Sequence, residues 1–381
     1  MILNFNFNTR FNDDIPEIEA TEELPPRPSN KSVRKAGKFL KDNWYFRDDQ
    51  IDMPKWQECI DIIQRYRQHH YNNSSIFKKL LFKKLHRLSF VNEDNRKFIV
   101  SDRLKRLVSI MNKLNRTGTN TMELAQMEDI AGVRVILHDM DELNRFINDD
   151  ESCEIKDLFI KCIKATNRDY IENPKADDGY RSVHQIFIHK DTKLKLELQI
   201  RTQLQHQWAT AVETYGSLSG VSIKTGDGDE KVRQFFRLCS MIFACREDAP
   251  LIPEFKALGM NKICLELKEL ENELQILKKL KNVKDLEIIR DQELSFNYGY
   301  YLLIQDIVNN KTIVHKFYQS QQDEAWAKYY ENENKYRRDS SKNVVLVSID
   351  NINKLREAYP NYFLDTKDFV QNIEKELTKY V

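Results

Sequence analysis

The sequence predicts an α/β (α+β) protein: a mixed central β-sheet flanked by helices, a helical connector, and a small C-terminal α/β domain. Three observations predict it. In LKLELQIRT, Leu194, Leu196, Leu198 and Ile200 alternate with Lys195, Glu197, Gln199 and Arg201, the two-residue period of a strand with one apolar face. Between about residues 101 and 250 the hydrophobic period switches repeatedly between that of a strand and that of a helix, as a sheet covered by helices requires. Ile263, Leu267, Leu270, Leu274 and Leu277 keep a 4-3-4-3 spacing, a seam suited to packing on another helix.

Taken in order, residues 1–30 are acidic and end in LPPRPSN, which predicts a flexible arm. The main domain follows over 31–250. It opens helically, with basic residues crowded into KSVRKAGKFLK and FKKLLFKKLHR. In SDRLKRLVSIMNKLNR, a helix would bring Lys105, Ser109 and Lys113 to one face, just after Arg103. AGVRVIL reads as a strand, MDELNRFIND as a helix, HQIFIH and LKLELQI as strands, and QLQHQWATAVETYG as a helix. A connector helix is expected over 251–290. In the last segment, 291–381, YGYYLLIQDI, KTIVHKFYQ and NVVLVSI read as strands, and QDEAWAKYYENEN and TKDFVQNIEKEL as helices.

The 381 residues are 41% hydrophobic and 31% charged with a net charge of +1, so no global field selects or rejects nucleic acid. Six cysteines without a CxxC pattern read as reduced thiols rather than a zinc site or disulfides. The opening stretch lacks the basic start and apolar run of a signal peptide, and no segment is long and apolar enough to span a bilayer. The expected location is cytoplasmic, with no membrane partner.

Polar residues stand where packing alone does not require them. Asp129 precedes a strand in which Arg134 points away from the Val133–Val135–Leu137 face. In RDYIENPKADDGYRSVHQIF, Pro174, Gly179 and two aspartates build a loop holding Lys175, while Tyr180, Ser182 and His184 would share a strand face. Glu197 lies on the polar side of the last strand. Two carboxylates fit for Mg²⁺, several phosphate-seeking bases and an exposed aromatic on a glycine loop suit phosphoryl or pyrophosphoryl transfer, where catalysis is positioning plus neutralisation of charge. Neither the GxxxxGK[ST] loop nor the kinase HRD and DFG signatures are present.

These stretches resemble the synthetase domain of the RelA/SpoT alarmone enzymes, with its nucleotidyltransferase-like fold. The family's R-x-K-x-x-x-S-x-x-x-K is matched by Arg103, Lys105, Ser109 and Lys113, and its D-x-x-x-x-R by Asp129 and Arg134. Gly179, Tyr180, Arg181, Ser182 and His184 match G-Y-[RQ]-S-x-H, and Glu197, Gln199, Arg201 and Thr202 match E-[IL]-Q-I-R-T. The resemblance implies that Arg103 and Arg134 sandwich the adenine of ATP and that Lys105, Ser109 and Lys113 hold its phosphates. It implies further that Asp129 and Glu197 bind Mg²⁺, and that Glu197 activates the attacking hydroxyl. Tyr180 would stack on the acceptor's base, with Lys175, His184, Arg168 and Gln199 around it. The hydrolase half of that family needs a further HD metal site. The one HD here, His138–Asp139, falls at a strand end inside the synthetase segment, so no hydrolase is expected.

Beyond residue 290 there is no cysteine and a single histidine, His315, which argues against a zinc-bound module. The tail carries Tyr359-Pro360-Asn361-Tyr362. A YxxY in a zinc-less domain after a synthetase resembles the CapRel fused toxin–antitoxins. That resemblance implies a tyrosine pair folded over the ATP site until a phage protein binds the C-terminal domain, and an active form that pyrophosphorylates the 3′ end of tRNA. Read without it, Tyr359 and Tyr362 are core aromatics beside a helix break. The acceptor stays open between tRNA and GDP or GTP, and a catalytically idle nucleotide- or partner-binding sensor is a third reading. Clusters at Lys78, Lys79, Lys83 and Lys84, and at Lys31, Arg34, Lys35, Lys38 and Lys41, are candidate phosphate-backbone contacts.

Overall fold

A buried strand sequence flanked by amphipathic helices sets the architecture, as described for residues 24–88, 98–116, 122–149, 153–162, 168–220, 229–282, 287–290, 299–339, 341–348 and 352–381 of a computed structural model. Most of the expected N-terminal arm, residues 1–23, lies outside the described residues. Helix α1 (Asn30–Asn43) starts where the Ser29 hydroxyl accepts the Ser32 N–H, and it buries Val33, Ala36 and Leu40. Asp52 caps the 35-residue α2 (Met53–Arg87) in the same way.

Strand β1 (Ile99–Leu104) then leads into α3 (Leu107–Leu114). Arg103 is therefore on a strand and Lys105 in the joint, and only Ser109 and Lys113 share a helix face. The expected helix face from Lys105 to Lys113 is not formed, because Ile99 to Leu104 pair antiparallel with β2 (Ala131–Leu137) and the helix starts only at Leu107. Helices α4 (Met140–Asn148) and α5 (Cys153–Leu158) precede strands β3 (Phe159–Lys161), β4 (Arg168–Asp169), β5 (Val183–His189) and β6 (Lys195–Thr202). The sheet order is β1-β2-β6-β5-β3, with β4 also on β5. The β2–β6 pair is parallel and the others antiparallel, so the sheet is mixed as predicted.

Thr202 and Gln205 form a capping box at the start of α6 (Gln203–Ser219), and Gly220 ends that helix in the left-handed region. Helices α7 (Glu230–Arg246), α8 (Met260–Leu274) and α9 (Ile276–Lys281) stack beside it. The single connector helix expected up to residue 290 is broken at Gln275, whose φ is +52°. The Glu271 carboxylate accepts the N–H groups of Leu277 and Lys278 there and so caps α9. Ile263, Leu267, Leu270, Leu274 and Leu277 do pack on a helix: they join a core with Phe235, Phe236 and Leu238 of α7.

The last segment forms a second sheet in the order β10-β8-β9-β7 from β7 (Glu287–Arg290), β8 (Tyr300–Asp306), β9 (Lys311–Phe317) and β10 (Lys342–Val347). Helix α10 (Gln322–Lys335) covers it, and α11 (Ile352–Ala358), a 3₁₀ turn (Pro360–Phe363) and α12 (Lys367–Tyr380) follow. Tyr300, Leu302 and Leu346 of this sheet and Trp326 and Tyr329 of α10 share one core with Ile60, Ile63 and Tyr71 of α2 and with Leu104 and Leu107. Helix α12 returns to the other helical stack, burying Phe369, Val370 and Ile373 against α7 and α8. Full burial of each such side chain contributes about 1.5–3 kcal/mol. No described helix is long and apolar enough to cross a membrane.

Candidate active site

The parallel junction of β2 and β6 brings Gly132 opposite Glu197 and Arg134 opposite Gln199. A Cβ on Gly132 would lie 2.7 Å from the Glu197 carbonyl, so the strands approach this closely only because that residue is glycine. From β5, the His184 Nδ1 lies 2.9 Å from one Glu197 carboxylate oxygen, and the Gln199 amide donates to the other at 2.7 Å. The Tyr180 hydroxyl is 2.7 Å from His184 Nε2 and accepts from Arg201 at 2.6 Å. With the proton on Nδ1, donors and acceptors run in one direction: Arg201 to Tyr180, Tyr180 to His184, His184 to Glu197. Burial pushes the Glu197 carboxyl up, but His184 and the Gln199 amide outweigh it and bring it to about 2. Burial alone would lower His184; Tyr180 and Glu197 raise it above its ordinary value instead.

On the other side of β2, Lys105 Nζ meets one oxygen of Asp129 at 2.9 Å and Lys113 Nζ the other at 2.8 Å. Against the cost of burial, the two ammonium groups hold Asp129 far below the usual carboxylate range. Lys105 thus converges with Lys113 from the joint, although not from one helix face. The negative charge of Asp129 also pushes Glu197 up, so the two carboxylates stand within each other's field. Among the described residues no group of three or more His, Cys, Asp or Glu could hold a metal. Two mutually repelling carboxylates nevertheless fit a Mg²⁺ that takes its remaining oxygens from phosphate and water.

Arg103 stands opposite Gly132 and Ser101 opposite Arg134, so the two arginines are diagonal neighbours across β1 and β2. Burial, then Arg201 and Arg103, bring Arg134 down to about 10. Arg103 is raised despite burial, chiefly by Glu213 of α6, then by Tyr362 and Glu197. Glu213 and His206 lie seven residues apart on α6 and reach this corner. Sequence reading passed over both, yet a lone acid and a lone histidine at helical spacing among AT-AV-TY residues were a usable signal.

The glycine loop keeps its expected form. Gly179 has φ +79°, its N–H donates to the Lys175 carbonyl at 2.8 Å, and Asp178 accepts the Tyr180 N–H. Tyr180 and Ser182 lie in the approach to β5 rather than within it. Tyr180 is not the exposed aromatic expected: it is only 8% exposed because it packs with Trp208, with Lys175 Nζ 5.2 Å and the Arg201 guanidinium 5.1 Å from its ring centre. Tyr170, half-buried and 5.2 Å from the His184 ring, presents a second aromatic in the same corner. Arg168 pairs with Glu128 at 3.4 Å, opposite His184 in register.

The Tyr359–Tyr362 turn closes the arginine corner. The Tyr359 hydroxyl donates to the Asp102 carbonyl, and its ring is 4% exposed. The Tyr362 ring lies 6.4 Å away at 68°. Burial raises both phenols, and the charge of Arg103 acts on both in the opposite sense. Gln305 of β8 donates to the Asn361 carbonyl at 3.0 Å and Thr312 of β9 to that of Tyr362 at 2.8 Å. His206 Nε2 sits 3.2 Å from the Glu357 carbonyl.

One basic cluster changes meaning. Lys78 is spent on Asp102 at 3.0 Å and the Ser348 carbonyl at 2.8 Å, and Lys84 is buried against Asp149 and the Phe146 ring. These lysines are structural and cannot meet a phosphate backbone. Lys31, Arg34, Lys35 and Lys38 are exposed along α1. Asp139 of the HD pair caps α4 by accepting the Glu142 N–H at 3.0 Å.

Residues 102–215, which include Arg103, Lys105, Asp129, Arg134, His184 and Glu197, match the model described as a region found in RelA / SpoT proteins. They are a RelA/SpoT-type region. A curated relative, the GTP pyrophosphokinase YjbM of Bacillus subtilis (strain 168), is 31% identical over 117 residues, which is 29% of this chain and 52% of that protein. The chain thus spans about half the length of that relative. Among solved structures, the small alarmone synthetase 1 from Bacillus subtilis aligns with a TM-score of 0.37 at 21% identity, covering 56% of this chain and 98% of that one. The same enzyme bound to its product pppGpp gives 0.37 and 21%, covering 54% and 93%. Smu.1046c from Streptococcus mutans UA159 gives 0.32 and 20%, covering 54% and 96%.

Proposed function

We propose that this chain is an ATP-dependent pyrophosphokinase whose residues 31–250 catalyse transfer and whose segment 291–381 restrains it, with the 3′ end of tRNA as acceptor. The acceptor hydroxyl attacks the β-phosphorus of ATP. A bond forms between that oxygen and the β-phosphorus, the bond to the α–β bridging oxygen breaks, and AMP leaves. Glu197 takes the hydroxyl proton, oriented by His184 and Gln199 on its two oxygens. Arg103 and Arg134 stack on adenine, and Lys105, Ser109 and Lys113 face the phosphates. Mg²⁺ held by Asp129 and Glu197 neutralises developing phosphate charge when bound.

The observation that carries the reading is an intact catalytic set with a tyrosine turn seated on its arginine corner. An idle sensor has no need of Asp129 between two lysines or of a hydrogen-bonded Glu197. The turn supports a toxin shut by its own C-terminal segment, released when a phage protein binds that segment, and blocking translation in anti-phage defence. The exposed basic face of α1 supports a polyanionic acceptor. The name of the curated relative favours a second reading, GDP or GTP as acceptor and (p)ppGpp as product.

The test offers γ-labelled ATP to the Tyr359→Ala/Tyr362→Ala variant with tRNA, GDP or GTP in separate reactions. Label on tRNA with AMP release supports the first reading. Label on guanine nucleotide alone replaces it with the second, and no transfer to any acceptor removes both.

A further inference from the structure

The ATP-facing lysines are placed by a joint two residues long. Lys105 and Arg106 link β1 to α3, and the Lys105 N–H donates to the Ile130 carbonyl at 2.8 Å, beside Asp129. Three groups hold the other side of the joint, and two of them come from the C-terminal segment. Glu333 of α10 accepts the Leu107 N–H, the first of α3, at 2.9 Å. Arg67 of α2 donates to the Lys105 carbonyl at 2.9 Å. Asn343 of β10 accepts from Arg106.

Arg67 and Glu333 are themselves a buried ion pair, 0% and 4% exposed, with nitrogen–oxygen distances of 2.6 and 3.1 Å. Tyr329 completes it, accepting from Arg67 and donating to Glu333, both at 2.8 Å. A buried pair of this kind is poor evidence for stability, since apolar residues of like volume hold a core as well or better. Its polar cost is offset here by fixing the α3 entry, whose helix carries Ser109 and Lys113.

We propose that Glu333 and Arg67 are positioning residues of the donor site: together they set the β1–α3 joint that aims Lys105 and Lys113 at Asp129. The C-terminal segment then has two parts with opposite roles. Helix α10 and the sheet stay docked and complete the site, whereas the Tyr359–Tyr362 turn blocks it. Release moves the turn and leaves α10 in place. This rests on the reading of Lys105, Lys113 and Asp129 as an ATP-phosphate site.

The test uses the full-length chain carrying Tyr359→Ala and Tyr362→Ala as parent, and adds Arg67→Met, Tyr329→Phe and Glu333→Leu together. The triple change removes both charges and the tyrosine between them at once and keeps the core filled, leaving only the neutral Gln64, which also accepts from Arg67, so folding survives where single changes would strand a charge. Melting temperature, hydrogen exchange of the 105–114 amides, Mg·ATP affinity by calorimetry and steady-state kinetics are read on both proteins. The expected result is an unchanged melting temperature with faster exchange at 105–114. ATP binding weakens, and kcat/KM for ATP falls about a hundredfold, the scale of an ångström of misplacement, with acceptor KM unmoved. Unchanged exchange, or faster exchange with ATP affinity and kcat/KM within twofold of the parent, overturns the proposal and leaves the function intact. If the triple variant melts early, Arg67→Met with Glu333→Gln decides, because both charges leave together and the side-chain amide still bonds Tyr329; unaltered ATP affinity there overturns the proposal. A parent that transfers nothing to any acceptor sinks the functional reading instead, and exchange and ATP affinity then judge the joint.

Discussion

The hydroxyl of Tyr359 donates to the main-chain carbonyl of Asp102, 257 residues earlier in the chain and next to Arg103. A side chain from the last fifth of the sequence therefore occupies the edge of the strand that carries Arg103. Arg134 and Arg103 both bear on this phenol electrostatically.

Removing that grip should switch the enzyme on. A closed state favoured by about 3 kcal/mol leaves under about one per cent of molecules open. Tyr359→Ala with Tyr362→Ala should raise pyrophosphate transfer about a hundredfold without a trigger and make expression toxic. An inert but folded double variant, judged by near-native circular dichroism, would mean that the tyrosines support activity rather than restrain it.

In that open background, Glu197→Gln should lower transfer by about a hundredfold to ten-thousandfold, the range of a general base. The amide keeps the volume and one acceptor for His184, so the melting temperature should hardly move. Turnover within a few-fold of the parent would place the base elsewhere.

Much of this was legible because local pattern and tertiary context agree. AGVRVIL is β2 end to end, and the alternating LKLELQI is β6. Lys105 to Lys113 read as one helix face because Arg, Leu and Lys favour helix locally, while Ile99–Leu104 become a strand only by pairing with β2 and delay the helix to Leu107. The break at Gln275 carries no glycine or proline. It depends on Glu271 reaching forward to two N–H groups, which no local pattern announces. Arg67 and Glu333 were invisible for the same reason, being 266 residues apart.

Acid should loosen the fold through two buried histidines. His70 and His206 are each lowered to about 3, burial being the largest cause, with His70 set against the Lys195 carbonyl and His206 against that of Glu357. Their pKa is lower folded than unfolded, so below about 6.5 the unfolded chain binds protons that the folded one refuses. Stability is then full above about 6.5 and falls as pH drops toward 3, by at most about 1.4 kcal/mol per pH unit for each histidine. Melting temperatures between pH 7.5 and 5 should decline, and His206→Gln should flatten part of that slope. An unaltered slope would show that His206 is not the group being charged.

Deleting residues 299–381 should not imitate the double tyrosine variant, although both remove the Tyr359 contact to Asp102. The deletion strips Tyr300, Leu302, Trp326, Tyr329 and Leu346 from a core they share with α2, leaving Ile60, Ile63 and Tyr71 open to water. It also takes Phe369 and Ile373 off α7 and α8. Exposing Ile60, Ile63 and Tyr71 at about 1.5–3 kcal/mol each, together with the α7 and α8 faces, costs an amount comparable with the roughly 5–15 kcal/mol by which a domain is stable. Arg67 would lose Glu333 and stand uncompensated, and the α3 entry would lose its cap. The truncated chain should express poorly, elute as aggregate in size-exclusion chromatography and show little ATP-dependent transfer. A monomeric, active fragment would mean that the C-terminal segment acts purely as a lid, and that the catalytic sheet holds its own lysines in place.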